Sequence, residues 1–167
     1  MSLDNIQLPT FIMIDLFKNS LVDLNSDENS GQAYNMGQFD FLGGNQQKIA
    51  ILLNNPHETY LSNQSLSFVS GILTACKLTL ADVAIFNLYK KSAINYQAIH
   101  QILKPRIMFL FGIQSSDIQL PFEIPMFQVQ EFSGCDYLHL PSLTKLEADT
   151  VLKKQLWVKL QQIFSLK

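Results

Sequence analysis

The side chains able to carry chemistry are few and scattered. The three histidines are His57, His100 and His139. His57 follows a short apolar run and its polar loop, and His139 lies near the end of another such run. Brought to one edge of a sheet, these two would form a base or an electrophile pair. The opposing reading is one solvated loop histidine and one capping histidine. It is preferred, because no carboxylate is spaced to orient either ring. His100 reads as a helix-face residue. Asn54, Asn55 and Asn87 sit where two apolar runs stop. Their amides would either read a base or position a water, or else cap turn amides. Capping is preferred for Asn55, while Asn54 and Asn87 stand evenly between the two.

Familiar catalytic patterns are missing from the sequence. It has no phosphate-binding Walker loop, no GxGxxG after a strand and no GxSxG elbow. His57-Glu58 lacks the second histidine of a metalloprotease helix. Cys76 and Cys135 are isolated thiols without CxxC spacing. They read as buried small hydrophobes in a reducing cytosol. No metal ion and no cofactor is expected.

The elements that must position these residues are led by Lys48–Pro56. Ile49 to Leu53 is a continuous apolar run, stopped by Asn54-Asn55-Pro56. It is too short for a helix, because a residue before proline is pushed out of the helical region. A strand buried on both faces of a parallel sheet fits it. Helix-period spacing then spans Leu61–Cys76, where Gly71 is expected to mark a close packing contact. Further apolar runs follow at Val83–Asn87 and Arg106–Gly112, separated by a helical pattern over 93–103. The order β-α-β-α-β predicts a parallel sheet with helices on its faces. Ser115–Leu120 reads as a short helical turn. Met126–Phe132 alternates as a half-exposed strand, Gly134 turns the chain and Tyr137–Leu140 is a last short strand. A closing helix runs from about Asp149 to Phe164. Trp157 shares a stripe with Leu156 and Leu160 and reads as core, with Lys153, Lys154 and Lys159 on a solvated face.

Two regions are expected. Residues 48–167 form the α/β domain. Residues 1–47 form an amphipathic helix plus a polar linker that ends in Gly43-Gly44, read as hinge material. In the helix, Phe11, Ile12, Ile14, Leu16, Phe17 and Leu21 make a wide apolar stripe. The stripe must be buried, either on the chain's own domain or in a partner's groove.

A chain of 167 residues is large enough for one hydrophobic core. Its net charge of −2 supplies no overall basic field for nucleic acid, so any DNA contact is expected to be indirect or weak. The N-terminus lacks the basic start and apolar core of a signal peptide, and no apolar stretch is long enough to span a bilayer. The expected compartment is the cytoplasm, without a membrane partner.

The order of KIAILLNNP, SGILTACKLTLADVAIFNLYK, LKPRIMFLFG and HLPSLTKL, closed by KKQLW and KLQQIF, resembles the uracil-DNA glycosylase fold. The likeness spans roughly Lys48 to Phe164. It implies a three-layer α/β/α sandwich with a central, mainly parallel sheet. It also implies that Leu53–Pro56 matches the first catalytic loop, with Asn54 as water positioner. Asn87 matches the strand-end asparagine that reads the base. His139–Ser142 matches the His-Pro-Ser loop, with His139 as the electrophile behind the departing base. The chain departs from the pattern by Leu140 between histidine and proline and by a first loop without glycines. It lacks the four cysteines of iron–sulfur variants, and Tyr60 is the one candidate to stack on a base.

A non-catalytic branch is the better likeness. The psi subunits of bacterial DNA polymerase III carry an N-terminal segment and a Pro-Ser-Leu, Lys, Leu-Trp ending. Here these are residues 1–47, Pro141-Ser142-Leu143, Lys154 and Leu156-Trp157. This resemblance implies a replication accessory protein. Its N-terminal segment would bind clamp-loader subunits, and its body a chi-like protein that holds single-strand-binding protein. The alternative is a divergent glycosylase-like enzyme acting on a flipped base, through Asn54, His139 and Asn87.

Overall fold

Ile49–Leu53 forms β1, and all five of its residues are buried. In this computed structural model residues 40–89 and 94–165 are described, and they fall within the unit Tyr34–Lys167. β1 is an interior strand of a five-stranded sheet. Its neighbours are β2 (Val83–Asn87) on one side and β3 (Ile107–Phe111) on the other. Beyond β3 come β5 (Cys135–Leu140) and then the edge strand β4 (Val129–Phe132). β2, β1, β3 and β5 run parallel, and β4 is antiparallel to β5. The register sets Ile51 between Ile85 and Phe109.

The alternation of side chains divides the core between the two sheet faces. Ile49, Ile51 and Leu53 join Phe109, Leu138 and Leu140 on one face. There they meet α1 (Asn63–Ala75), α3 (Leu143–Ala148) and α4 (Thr150–Phe164), through residues such as Leu73, Leu146 and Leu156. Ala50, Leu52, Met108, Leu110 and Tyr137 line the other face. Ala98, Ile99 and Leu103 of α2 (Tyr96–Leu103) cover it, with Ile113, Ile118 and Ile124 from the segment after β3. Each fully buried aliphatic or aromatic side chain contributes about 1.5–3 kcal/mol. The α/β reading with a mostly parallel sheet and helices is therefore the observed one.

Local chemistry sets the ends of the helices. Ser62 caps α1 by accepting from the Ser65 N–H, and Asn95 caps α2 by accepting from the Ala98 N–H at 2.9 Å. α2 ends where Lys104 turns left-handed ahead of Pro105. Asp149 closes α3 and caps α4, its carboxylate accepting from the Val151 and Leu152 N–H groups. The β4–β5 hairpin turns through Ser133 and Gly134, with φ of 52° and 73°. Two consecutive positive φ values suit the twist of the flanking strands.

Several details differ from the sequence reading. β4 begins at Val129 instead of Met126, because Phe127 takes φ 60° and breaks the extension. α3 fills a stretch that the sequence leaves as a connection. Gly71 marks no close contact: a Cβ built there would meet nothing within 4 Å. Trp157 is 37% exposed, because the buried stripe of α4 runs through Leu156 and Leu160 and leaves Trp157 on its flank.

Gly43 and Gly44 are in close contact with β2 and the turn before it. A Cβ on Gly43 would lie 2.2 Å from the Val83 carbonyl oxygen, and one on Gly44 2.5 Å from that of Ala81. Residues 42–47 are hydrogen-bonded along that side: Leu42 exchanges both backbone bonds with Ile85, and the Asn45 N–H donates to Val83. Among the described residues, no helix is long and apolar enough to cross a membrane.

Candidate functional site

The chain leaves β1 toward β2 on one side, and from β2 crosses to β3 on the other. Such a reversal opens a crevice beyond the carboxyl ends of the strands, where open α/β sheets carry their sites. The residues at this edge are the loop after β1, Asn87 at the end of β2, Gly112 after β3, and His139–Ser142 at the end of β5.

Asn87 is 6% exposed. Its Oδ1 accepts from the Asn55 N–H at 3.0 Å and from the Tyr89 N–H at 3.1 Å. Its Nδ2 donates to the carbonyls of Asn55 at 2.9 Å and Glu58 at 2.8 Å. A primary amide has two donor hydrogens and two acceptor lone pairs, and all are engaged here. Asn87 therefore ties the loop after β1 to the end of β2. Asn55 contributes from inside the loop, its Oδ1 accepting from the His57 N–H at 3.0 Å. This is the local cap its position suggested. Asn54 and His57 are exposed.

At the other end of the edge, His139 is half-buried and its Nδ1 lies 2.9 Å from the Ile124 carbonyl. A carbonyl only accepts, so Nδ1 carries a proton and donates it to Ile124. His139 lines a polar recess of about 210 Å³ with Gln114, Ser115, Ser116, Glu123 and Ile124. Ser115 is buried, and its hydroxyl accepts from the Ile124 N–H at 3.2 Å. His57, Asn54 and Asn87 do not line this recess. Asn87 and His139 stand three strand spacings apart in the sheet, on the order of 14 Å. The edge thus does not gather the sequence-predicted residues around one cavity.

The residue between His139 and Pro141 has a clear place. Leu140 extends β5 by one position and is fully buried on the face opposite His139. Beyond it, Ser142 packs against Gly112, where a Cβ would come within 3.0 Å. Gly112 has φ +66°, so glycine is required there for both space and conformation. The close approach of Ser142 fills the edge above β3.

Sequence reasoning missed a polar pair on the same sheet face, one partner buried and the other half-buried. His100 Nε2 lies 2.6 Å from the Tyr137 hydroxyl. Tyr137 is fully buried, with Phe122 and His100 at its ring. Burial pushes the tyrosine hydroxyl up, with smaller contributions from Cys135 and Tyr96, and lowers His100 below its usual value. The pair spans 37 residues, so no local spacing signals it. Burial also holds both cysteines as thiols, Cys76 up to about 11 and Cys135 up to about 12, the latter helped by Asp136.

Among the described residues, no group of three or more His, Cys, Asp or Glu is placed to hold a metal ion. The stripe Phe11, Ile12, Ile14, Leu16, Phe17 and Leu21 lies outside the described residues. A comparison with protein-family models returns no match, and a comparison with curated proteins returns none either.

Proposed function

We propose that this chain is a non-catalytic adaptor of the psi type, built on a uracil-DNA glycosylase-like domain. It bridges clamp-loader subunits and a chi-like protein within a replication assembly. The observation that supports this reading is the engagement of the Asn87 amide. In a base-reading enzyme the strand-end asparagine must offer its donor and acceptor to a flipped base. Here all four positions are taken by backbone groups, three of them in the loop after β1 and the fourth the Tyr89 N–H just beyond β2. The order of motifs supplies the replication context. The amphipathic stripe from Phe11 to Leu21 docks on the clamp loader.

The test is co-purification of tagged full-length chain with clamp-loader and chi-type proteins. The expected result is recovery of both, with clamp-loader recovery lost on deletion of residues 1–23. Recovery of neither overturns the adaptor reading. Unchanged recovery after the deletion overturns the docking role of the stripe.

The polar recess at His139 favours a second reading, a divergent glycosylase-like enzyme. Its test is release of uracil or hypoxanthine from single- and double-stranded oligonucleotides. Release that is abolished by His139→Ala and by Asn54→Ala would replace the adaptor reading.

A further inference from the structure

Away from the carboxyl edge, α1 and α4 leave an apolar groove of about 410 Å³ between them. Phe68, Gly71 and Ala75 line it from α1, and Trp157 and Leu160 from α4. The groove exists because Gly71 presents no side chain to the space that a Cβ would enter freely. Lys153 stands at its side, with Nζ 5.7 Å from the Phe68 ring centroid.

The charged residue that lines this groove is a cation, Lys153. α1 carries no charged residue from Asn63 to Ala75. α4 carries Lys153, Lys154 and Lys159 and no acidic residue from Thr150 to Phe164. The nearest carboxylates in sequence keep their charge at the N-terminal ends of the two helices, where Asp149 caps α4 and Glu147 accepts from Gln64 and Ser65. A locally cationic, apolar surface thus sits on a chain of net charge −2.

We infer that this groove binds an amphipathic helix of a partner protein whose apolar stripe is flanked by aspartate or glutamate. Two neighbouring helices with a gap between their ridges accept a third along the gap. Trp157 supplies the kind of large, half-exposed anchor that dominates such interfaces. The lysines set the sign of the partner's flanks. A second copy of this chain is the poorer occupant, because a two-fold contact through the groove sets α4 lysines against α4 lysines. The inference deepens the adaptor reading and rests on it for the existence of a partner. The groove itself defines the partner's chemistry.

Trp157 is the chain's one tryptophan, so its emission reports on the groove alone. Full-length protein is titrated with two synthetic helical peptides that share a leucine stripe and differ only in glutamate or lysine flanks. The expected result is a saturable blue shift with the glutamate peptide, at least about ten-fold tighter than with the lysine peptide at low salt. The gap closes at high salt. Gly71→Leu fills the groove and weakens the glutamate peptide by about ten-fold or more, with the circular dichroism spectrum unchanged. Lys153→Glu combined with Lys154→Glu reverses the preference. Equal binding of the two peptides, or binding indifferent to Gly71→Leu, overturns the inference. So does a free-chain emission already blue-shifted: concentration dependence would assign the groove to a second copy, and its absence to the chain's own residues. If the peptide fails while clamp-loader and chi-type proteins still co-purify, the groove inference falls and the adaptor reading stands.

Discussion

The two ends of the carboxyl edge put their polar side chains to opposite uses. Over β2, Asn87 is buried and every hydrogen-bonding position of its amide holds a backbone group. Over β5, His139 gives Nδ1–H to one carbonyl, and its ring lines a polar recess. Two positions earlier on the same face of β5, Tyr137 is fully buried and paired with His100. The comparison teaches that polarity at a strand end is not evidence of chemistry. What decides is whether a donor or acceptor is left over after the local backbone has been satisfied.

The largest effect should come from breaking the closed end. Asn87→Ala leaves four backbone groups without the amide that satisfies them, and it should cost about 3 kcal/mol of stability, read by chemical denaturation. An unchanged midpoint would mean that water replaces the amide freely, and the contrast between the ends would disappear. Next is the polar pair that joins β5 to α2. His100→Leu strands the Tyr137 hydroxyl in the core and should cost about 2 kcal/mol. Tyr137→Phe removes the hydroxyl itself and should cost about 1 kcal/mol, so the two variants should differ in that order.

The same pair carries a pH dependence. Burial lowers His100 in the folded chain below its unfolded value of 6.5. Between those two values the unfolded chain binds more protons than the folded one, so stability falls as pH falls. The contribution is complete above the unfolded value and is lost progressively as pH drops through the lower, folded one. Thermal melts from pH 7.5 down to 5 should show this slope in the parent chain and a shallower one in His100→Leu. The smallest effects belong to the exposed or half-open positions. Asn54→Ala should stay within about 0.5 kcal/mol of the parent in the same denaturation experiment. A larger loss would place Asn54 among the structural asparagines beside Asn87.

Much of the fold was legible because its strands are short apolar runs with hard stops. Asn54-Asn55-Pro56 ends β1, and Asn87 ends β2, at the residues the sequence suggests. A strand buried on both faces needs no partner information to be recognised, only its length and its borders. The edge of the sheet was less legible. β4 is exposed, and its start depends on a positive φ at Phe127 that no local composition announces. Asn55 could be read as a cap, because an Asx turn is a local event. The complete engagement of Asn87 could not, since its partners Asn55 and Glu58 lie about 30 residues away in sequence, brought near only by the pairing of β1 with β2. The recess beside His139 and the His100–Tyr137 pair are likewise products of folding. Trp157 illustrates a limit of stripes: on a helix, the residue after a buried leucine is turned by roughly 100°, enough to reach the surface.

The hydrogen-bonded run beside β2 has a consequence for how this molecule meets others. A lateral strand normally presents unpaired amides and carbonyls, a ready template for a foreign strand. Leu42 and Asn45 already occupy those groups at Ile85 and Val83, and the glycines between them let the backbone come close enough to do so. On the far side, among the described residues, the edge is the four residues of β4, with Glu131 among them. Ribbon-like polymerisation through the β2 side is thereby closed off, and larger side chains at Gly43 or Gly44 would reopen it by lifting the covering segment away.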